Sequence, residues 1–115
     1  MSQGKAIAQA GHAYLDSFLA SLQTSPAHAA TYGARKPGTK IALRGGSPDH
    51  ILKLHHDLTI AGLPCALIID EGHIELPDFD GSPTLTALGV GPISRADARR
   101  FLSRLPLWPG KGGAS

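Results

Sequence analysis

One cysteine, Cys65, stands in the whole 115-residue chain. A single thiol excludes a disulfide framework and a cysteine-based metal site within one chain, and a reducing cytosol is the simplest home for it. Set in the apolar run LPCALII, Cys65 reads as a small core residue. No apolar run approaches the roughly 18 residues needed to span a bilayer. Nor do the first residues follow the charged-then-apolar pattern of a signal peptide. No charge of one sign dominates: the formal net charge is +2, which permits a nucleic-acid partner without announcing one. What is present is globular in kind, with 42% hydrophobic and 17% charged residues. The length suits one domain able to bury a core of its own.

Helical spacing of Ile7, Tyr14, Phe18 and Leu22 predicts a first helix from about Gly4 to Thr24. Ser25-Pro26 ends it, because the residue before a proline avoids helical geometry. Residues 27–33 add a short helical piece closed by Gly33. Thr39 to Leu43 is a short strand candidate. Ser47-Pro48 starts a second long helix, running to about Ala61, with Gly62 where a C-terminal glycine belongs. LPCALIID (63–70) suits a strand buried on both faces. EGHIELPDFDGSP is a polar loop punctuated by Gly and Pro. TLTALGVG (84–91) is a further strand. Ser94 with Asp97 resembles a capping box and opens a last helix to about Leu105. There is no internal repeat. Strands interleaved with helices give an α/β fold: a three-layer sandwich, a small mixed sheet covered by helices on both faces. The domain spans residues 1–108, and 109–115 form a flexible tail.

The first helix carries a polar stripe. At ~100° per residue, Gln9 lies about 40° from Lys5, His12 about −20° and Asp16 about 20°. Ile7, Tyr14 and Phe18 lie on the opposite side. An ordinary amphipathic helix with a solvated face gives the same pattern. Ala6, Ala8, Ala10, Gly11 and Ala13 around the stripe are all small. They would let another backbone or a ligand come close, and do not say which.

GK-x-x-AQ-x-x-HA resembles the opening helix of the type 2 peptidyl-tRNA hydrolase family. Further matches follow in order: IALRGGSPDHILKLHHDLTIAGLP, ALIIDEG and TLTALGVGP, together covering about residues 2–107. The resemblance implies an enzyme that cleaves the ester joining a peptide to the terminal ribose of a tRNA, working in the cytoplasm without a cofactor. It implies Lys5, Asp70 and Thr86 as the catalytic group, with Gln9, His12 and His73 nearby on the substrate. The chemistry suits ester hydrolysis, which needs an aligned water and help for a developing oxyanion. Lys5 supplies a cation. Asp70, at the end of a buried strand, orients a water or holds Lys5. Thr86 offers a hydroxyl, and His12 exchanges a proton or contacts the terminal nucleotide.

The chain departs from the family pattern at three places. Where the family has a threonine after a basic residue, Ile74 follows His73. DFDG (78–81) lengthens that loop. The family also opens on a strand ending in an Arg-x-Asp-Leu type segment before the helix, and here Met1 stands almost on the helix motif. The expectation is a sheet short of that strand, with an open edge or cleft and room for strand exchange or a homodimer.

Arg95, Arg99, Arg100 and Arg104 recur on the last helix, and Arg35, Lys36 and Lys40 cluster before the first strand. Either they form a solvated basic face or they meet tRNA phosphates; Arg95 and Arg99 are the substrate-binding candidates. His55-His56-Asp57 makes a poor chelate, since adjacent helical residues point ~100° apart, and no metal is expected. Gly89, Gly91 and Pro92 serve close packing and the exit from the strand, and Trp108 is a packing anchor. Besides a peptidyl-tRNA hydrolase, two other functions fit: a non-catalytic tRNA- or protein-binding module of the same fold, and another small hydrolase using the Lys/Asp site.

Overall fold

Three serines start three of the helices. In a computed structural model, which describes residues 2–35, 38–71, 74–75, 79–80 and 82–108, Ser2, Ser47 and Ser94 hold extended backbone ahead of α1 (Gln3–Thr24), α3 (Pro48–Ile60) and α4 (Arg95–Leu102). Each hydroxyl accepts from the N–H three residues on, at Lys5, His50 and Asp97, over 3.1–3.2 Å. A cap of this kind is worth ~1 kcal/mol. The short α2 (Pro26–Gly33) follows α1 across Ser25, as Pro26 dictates. It is held back on α1 by Tyr32 against Phe18, ring centroids 6.2 Å apart. After α3, Gly62 at φ +75° turns the chain toward the sheet.

The main sheet pairs β1 (Cys65–Asp70) with β4 (Thr84–Val90), antiparallel. Between them β2 (Ile74–Glu75) and β3 (Phe79–Asp80) form a small antiparallel pair. In the main sheet Cys65 opposes Val90, Ala66 opposes Gly89 and Ile68 opposes Ala87. Then the register shifts: Ile69 opposes Leu85 and Asp70 opposes Thr84. Thr86 is therefore the extra residue of a β-bulge.

The α1 helix lies close on this sheet. A Cβ at Gly89 would stand 2.1 Å from the Ala13 carbonyl oxygen and 3.0 Å from Ser17 Cβ, so only glycine fits there. The opposing residue, Ala66, is small too. On the neighbouring strand position, Cys65 Sγ sits 3.6 Å from Thr59 Oγ1 of α3. Successive strand residues point to opposite faces, so α1 and α3 meet β1 from opposite sides.

The α/β class expected from the sequence holds, and four details of the expectation change. First, the buried stripe of α1 is Gln9, Ala13, Ser17 and Ser21, spaced four apart. The apolar set Ile7, Tyr14, Phe18 and Leu22 was expected inside, yet Ile7 is 67% exposed and Leu22 is exposed as well. The cause is the contact at Gly89: a helix this near a sheet has room only for small side chains beneath it. Second, Thr39 to Leu43 makes no strand. It runs extended, and its one bridge joins Leu43 to Leu107. Arg44 N–H donates to Pro106 O and Trp108 N–H to Ala42 O. Trp108 is thus tied by its backbone while its side chain is exposed. Third, β2 and β3 lie where a loop was expected. Fourth, β1 is not buried throughout: Ile68 is buried and Ile69 exposed, and Cys65 is half-buried. Lys36, part of the 78–81 insertion and the tail at 109–115 lie outside the described residues.

Replacing Gly89 by alanine forces α1 off the sheet. Overpacking of this kind costs about 2 kcal/mol, so Gly89→Ala should lower Tm by about 10 °C in a thermal melt, whereas a shift within about 2 °C would show that the helix does not rest there.

Candidate active site

The start of α1 breaks a local rule. Lys5 is the third helical residue, where an acidic side chain would suit the positive end of the helix macrodipole, and the first turn holds no acid. The missing carboxylate comes from the sheet. Lys5 Nζ stands 2.7 Å from Asp70 Oδ2, with the two side chains 17% and 20% exposed. Asp70 ends β1 on the same side as Ile68 and Ala66, two and four residues back, which is the side α1 covers. The charge is thus paired, mostly out of water, and still reachable from outside.

The bulge serves the same place. With Thr86 as the extra residue, its side chain departs from the regular alternation of β4. Thr86 Oγ1 donates to Ile68 O at 3.2 Å, two residues from Asp70 on β1. That bond uses the hydroxyl hydrogen and leaves the oxygen lone pairs free to accept.

One turn along α1 from Lys5, Gln9 is 3% exposed, and its Oε1 meets no donor within hydrogen-bond reach. Buried polar atoms are nearly always paired. An orphan carbonyl beside a lysine–aspartate pair is the kind of local cost that marks a functional place.

The structure therefore brings Lys5, Asp70, Gln9 and Thr86 to the neighbourhood where α1 begins and β1 ends. His12 is not brought there. It lies two turns along α1, about 10 Å from Lys5 by helical rise, and is exposed. Arg95 and Arg99 are exposed on α4, which follows Val90, the end of β4 remote from Thr84 and Asp70. His73 lies outside the described residues, and Ile74 is described only by its backbone pairing with Asp80. Sequence reasoning did not find the part that Ala13 and Gly89 play in setting the helix height over Asp70. Its signal was present: a glycine inside an apolar strand and small residues four apart on a helix. Away from this site, a hydrogen bond from Lys53 to exposed Asp57 on α3 holds that carboxyl below the usual carboxylate range.

Comparison with known proteins supplies a second line. Residues 1–108 match the model of the family described as peptidyl-tRNA hydrolase PTH2. A peptidyl-tRNA hydrolase of Methanococcus vannielii is 38% identical over 107 residues, covering 93% of this chain and 88% of that protein. One from Methanocaldococcus jannaschii is 33% identical over 92 residues, 80% of this chain and 76% of its own. One from Pyrobaculum aerophilum is 36% identical over 98 residues, 84% of this chain and 80% of its own.

A buried, unpaired carbonyl costs ~1–3 kcal/mol, and an apolar group of the same shape removes that cost. Gln9→Met should therefore hold or raise the urea unfolding free energy, by up to about 1 kcal/mol. A loss of more than about 1 kcal/mol would show that the carboxamide is a satisfied structural group.

Proposed function

Since the chain belongs to the PTH2 family of peptidyl-tRNA hydrolases, we propose that it hydrolyses the ester between a peptide, or an N-blocked amino acid, and the 3′ end of tRNA, with Lys5, Asp70 and Thr86 at the reacting centre. The observation that carries this reading is the Lys5–Asp70 pair at 2.7 Å, mostly buried yet accessible. The products are free tRNA and a released peptide, so the enzyme serves translation in the cytoplasm by recycling tRNA.

The chemistry follows from the groups. Water must add to the ester carbonyl, a tetrahedral oxyanion must be tolerated, and the ribose oxygen must leave with a proton. Lys5 is a fixed cation in a place of reduced solvent, where its field on a developing negative charge is stronger than in water. Asp70 fixes the ammonium through one oxygen and has a second oxygen with which to orient a water. Thr86 accepts a hydrogen bond through its hydroxyl oxygen while donating to Ile68 O. The orphan Gln9 carbonyl accepts one donor, for which a ribose hydroxyl is the right chemistry. The partner is peptidyl-tRNA. Among the described residues no helix is long and apolar enough to cross a membrane.

The test is release of N-acetylated amino acid from N-acetylaminoacyl-tRNA. Lys5→Ala should lower kcat/KM about 10²- to 10³-fold, the scale of losing one preorganised electrostatic group. Thr86→Ser should retain more activity than Thr86→Val. If the protein binds the substrate without release above background, it is a binding module of the same fold. If it neither binds nor cleaves, the Lys5–Asp70 pair belongs to another hydrolytic reaction.

A further inference from the structure

The α1 helix is buried on its small side and bare on its large one. Gly4, Ala8, Gly11, Leu15, Leu19 and Leu22 fall within about 80° of one another on the helix surface, directly opposite the stripe that meets the sheet. All six are exposed, and Leu15, Leu19 and Leu22 are exposed by 56%, 49% and 44%. No Cβ added at Gly4 or Gly11 would come within 4 Å of another group. α2 does not cover this face: it lies along the Phe18 side. Three leucines on one seam of an outward face form a contiguous apolar patch, the kind of surface that marks an interaction site.

We propose that this face is the interface of a homodimer in which the α1 helices of two copies pack antiparallel about a two-fold axis. The order of residues along the seam selects that partner. The small residues occupy its first half and the leucines its second. Antiparallel pairing about the middle of the seam sets Gly4 beside Leu22, Gly11 beside Leu15, and Ala8 beside Leu19 to within one residue's rise of about 1.5 Å. Each leucine of one copy then fills the space left by a small residue of the other, and every contact occurs twice, as an isologous interface requires. Parallel pairing would stack leucine on leucine at one end and leave a gap between glycines at the other.

Charge favours the same choice. His12 and Asp16 are exposed on one flank of the seam. The two-fold brings Asp16 of each copy to within about 3 Å, along the axis, of His12 in the other. Parallel pairing would set His12 against His12 and Asp16 against Asp16, which is unfavourable at close range. The interface lies on the face of α1 turned away from the sheet, so Asp70 and Thr86 are not covered by it. The predicted dimer rests on this chain's own leucines and does not depend on the reaction it performs.

Sedimentation equilibrium on the full chain, together with cysteine cross-linking, tests the proposal. The mass should rise with concentration from 12.0 kDa toward twice that value. Leu15→Glu combined with Leu19→Glu should return it to the single-chain mass with an unchanged circular dichroism spectrum. In a Cys65→Ala background, Gly4→Cys and Leu22→Cys proteins should form a disulfide-linked dimer only when mixed and oxidised, because Gly4 lies about 27 Å from its own copy in the antiparallel pair. A single-chain mass maintained up to about 1 mM, or cross-linking of either cysteine variant with itself and not in the mixture, would overturn the proposal. Should the double glutamate variant fail to fold, the cross-linking pattern decides alone.

Discussion

The closeness of α1 to the sheet at Gly89 is the constraint on which the other features depend. A side chain at that position would collide with the Ala13 carbonyl. Because the helix sits so low, its inner stripe must be small or slender, and Gln9, Ala13, Ser17 and Ser21 supply that. Because its inner stripe is small, its leucines are left to face outward. Because it is low at Ala13, two turns earlier Lys5 lies within 2.7 Å of the carboxylate that ends β1. Burial, the site and the outward apolar face are thus three consequences of one contact.

The electrostatics show what the fold gives up for this arrangement. A lysine in the first turn opposes the helix macrodipole by ~0.3–1 kcal/mol. A strand-end aspartate offsets this, although taking both charges partly out of water costs part of what their attraction supplies. A buried glutamine carbonyl stays unpaired beside them. The bulge at Thr86 interrupts the β1–β4 ladder at the same level. Three local departures from ideal structure within one small volume are what a site shaped for chemistry looks like, since stability alone favours none of them.

Much of this was legible in the sequence. Serine caps and proline stops marked the helix boundaries, because caps act locally and need no tertiary partner. Lys5 and Gln9 fell on one face by helical geometry, and the motifs around Asp70 and Thr86 carried the family resemblance. The buried face of α1 was misread because amphipathic reasoning sends large apolar residues inward. Here a glycine on another strand decides instead, and only the assembled sheet places Gly89 under Ala13. His12 joined the stripe by angle, but angle ignores the rise along the axis that separates it from Lys5. The bulge left no trace in TLTALGV, whose composition fits a regular strand equally well. Thr39 to Leu43 has the composition of a strand, yet a strand needs a neighbour along its length, and only Leu43 finds a bridge.

Whether Lys5 and Asp70 act as one unit is the claim on which the functional account turns. The direct measurement is a double-mutant cycle on kcat/KM for N-acetylaminoacyl-tRNA, using Lys5→Met, Asp70→Asn and both together. Groups that act as a unit are non-additive. The account predicts that the double variant is no slower than the worse single one, both being far below the unaltered protein. Losses that multiply, or a single variant with undiminished kcat/KM, would contradict it.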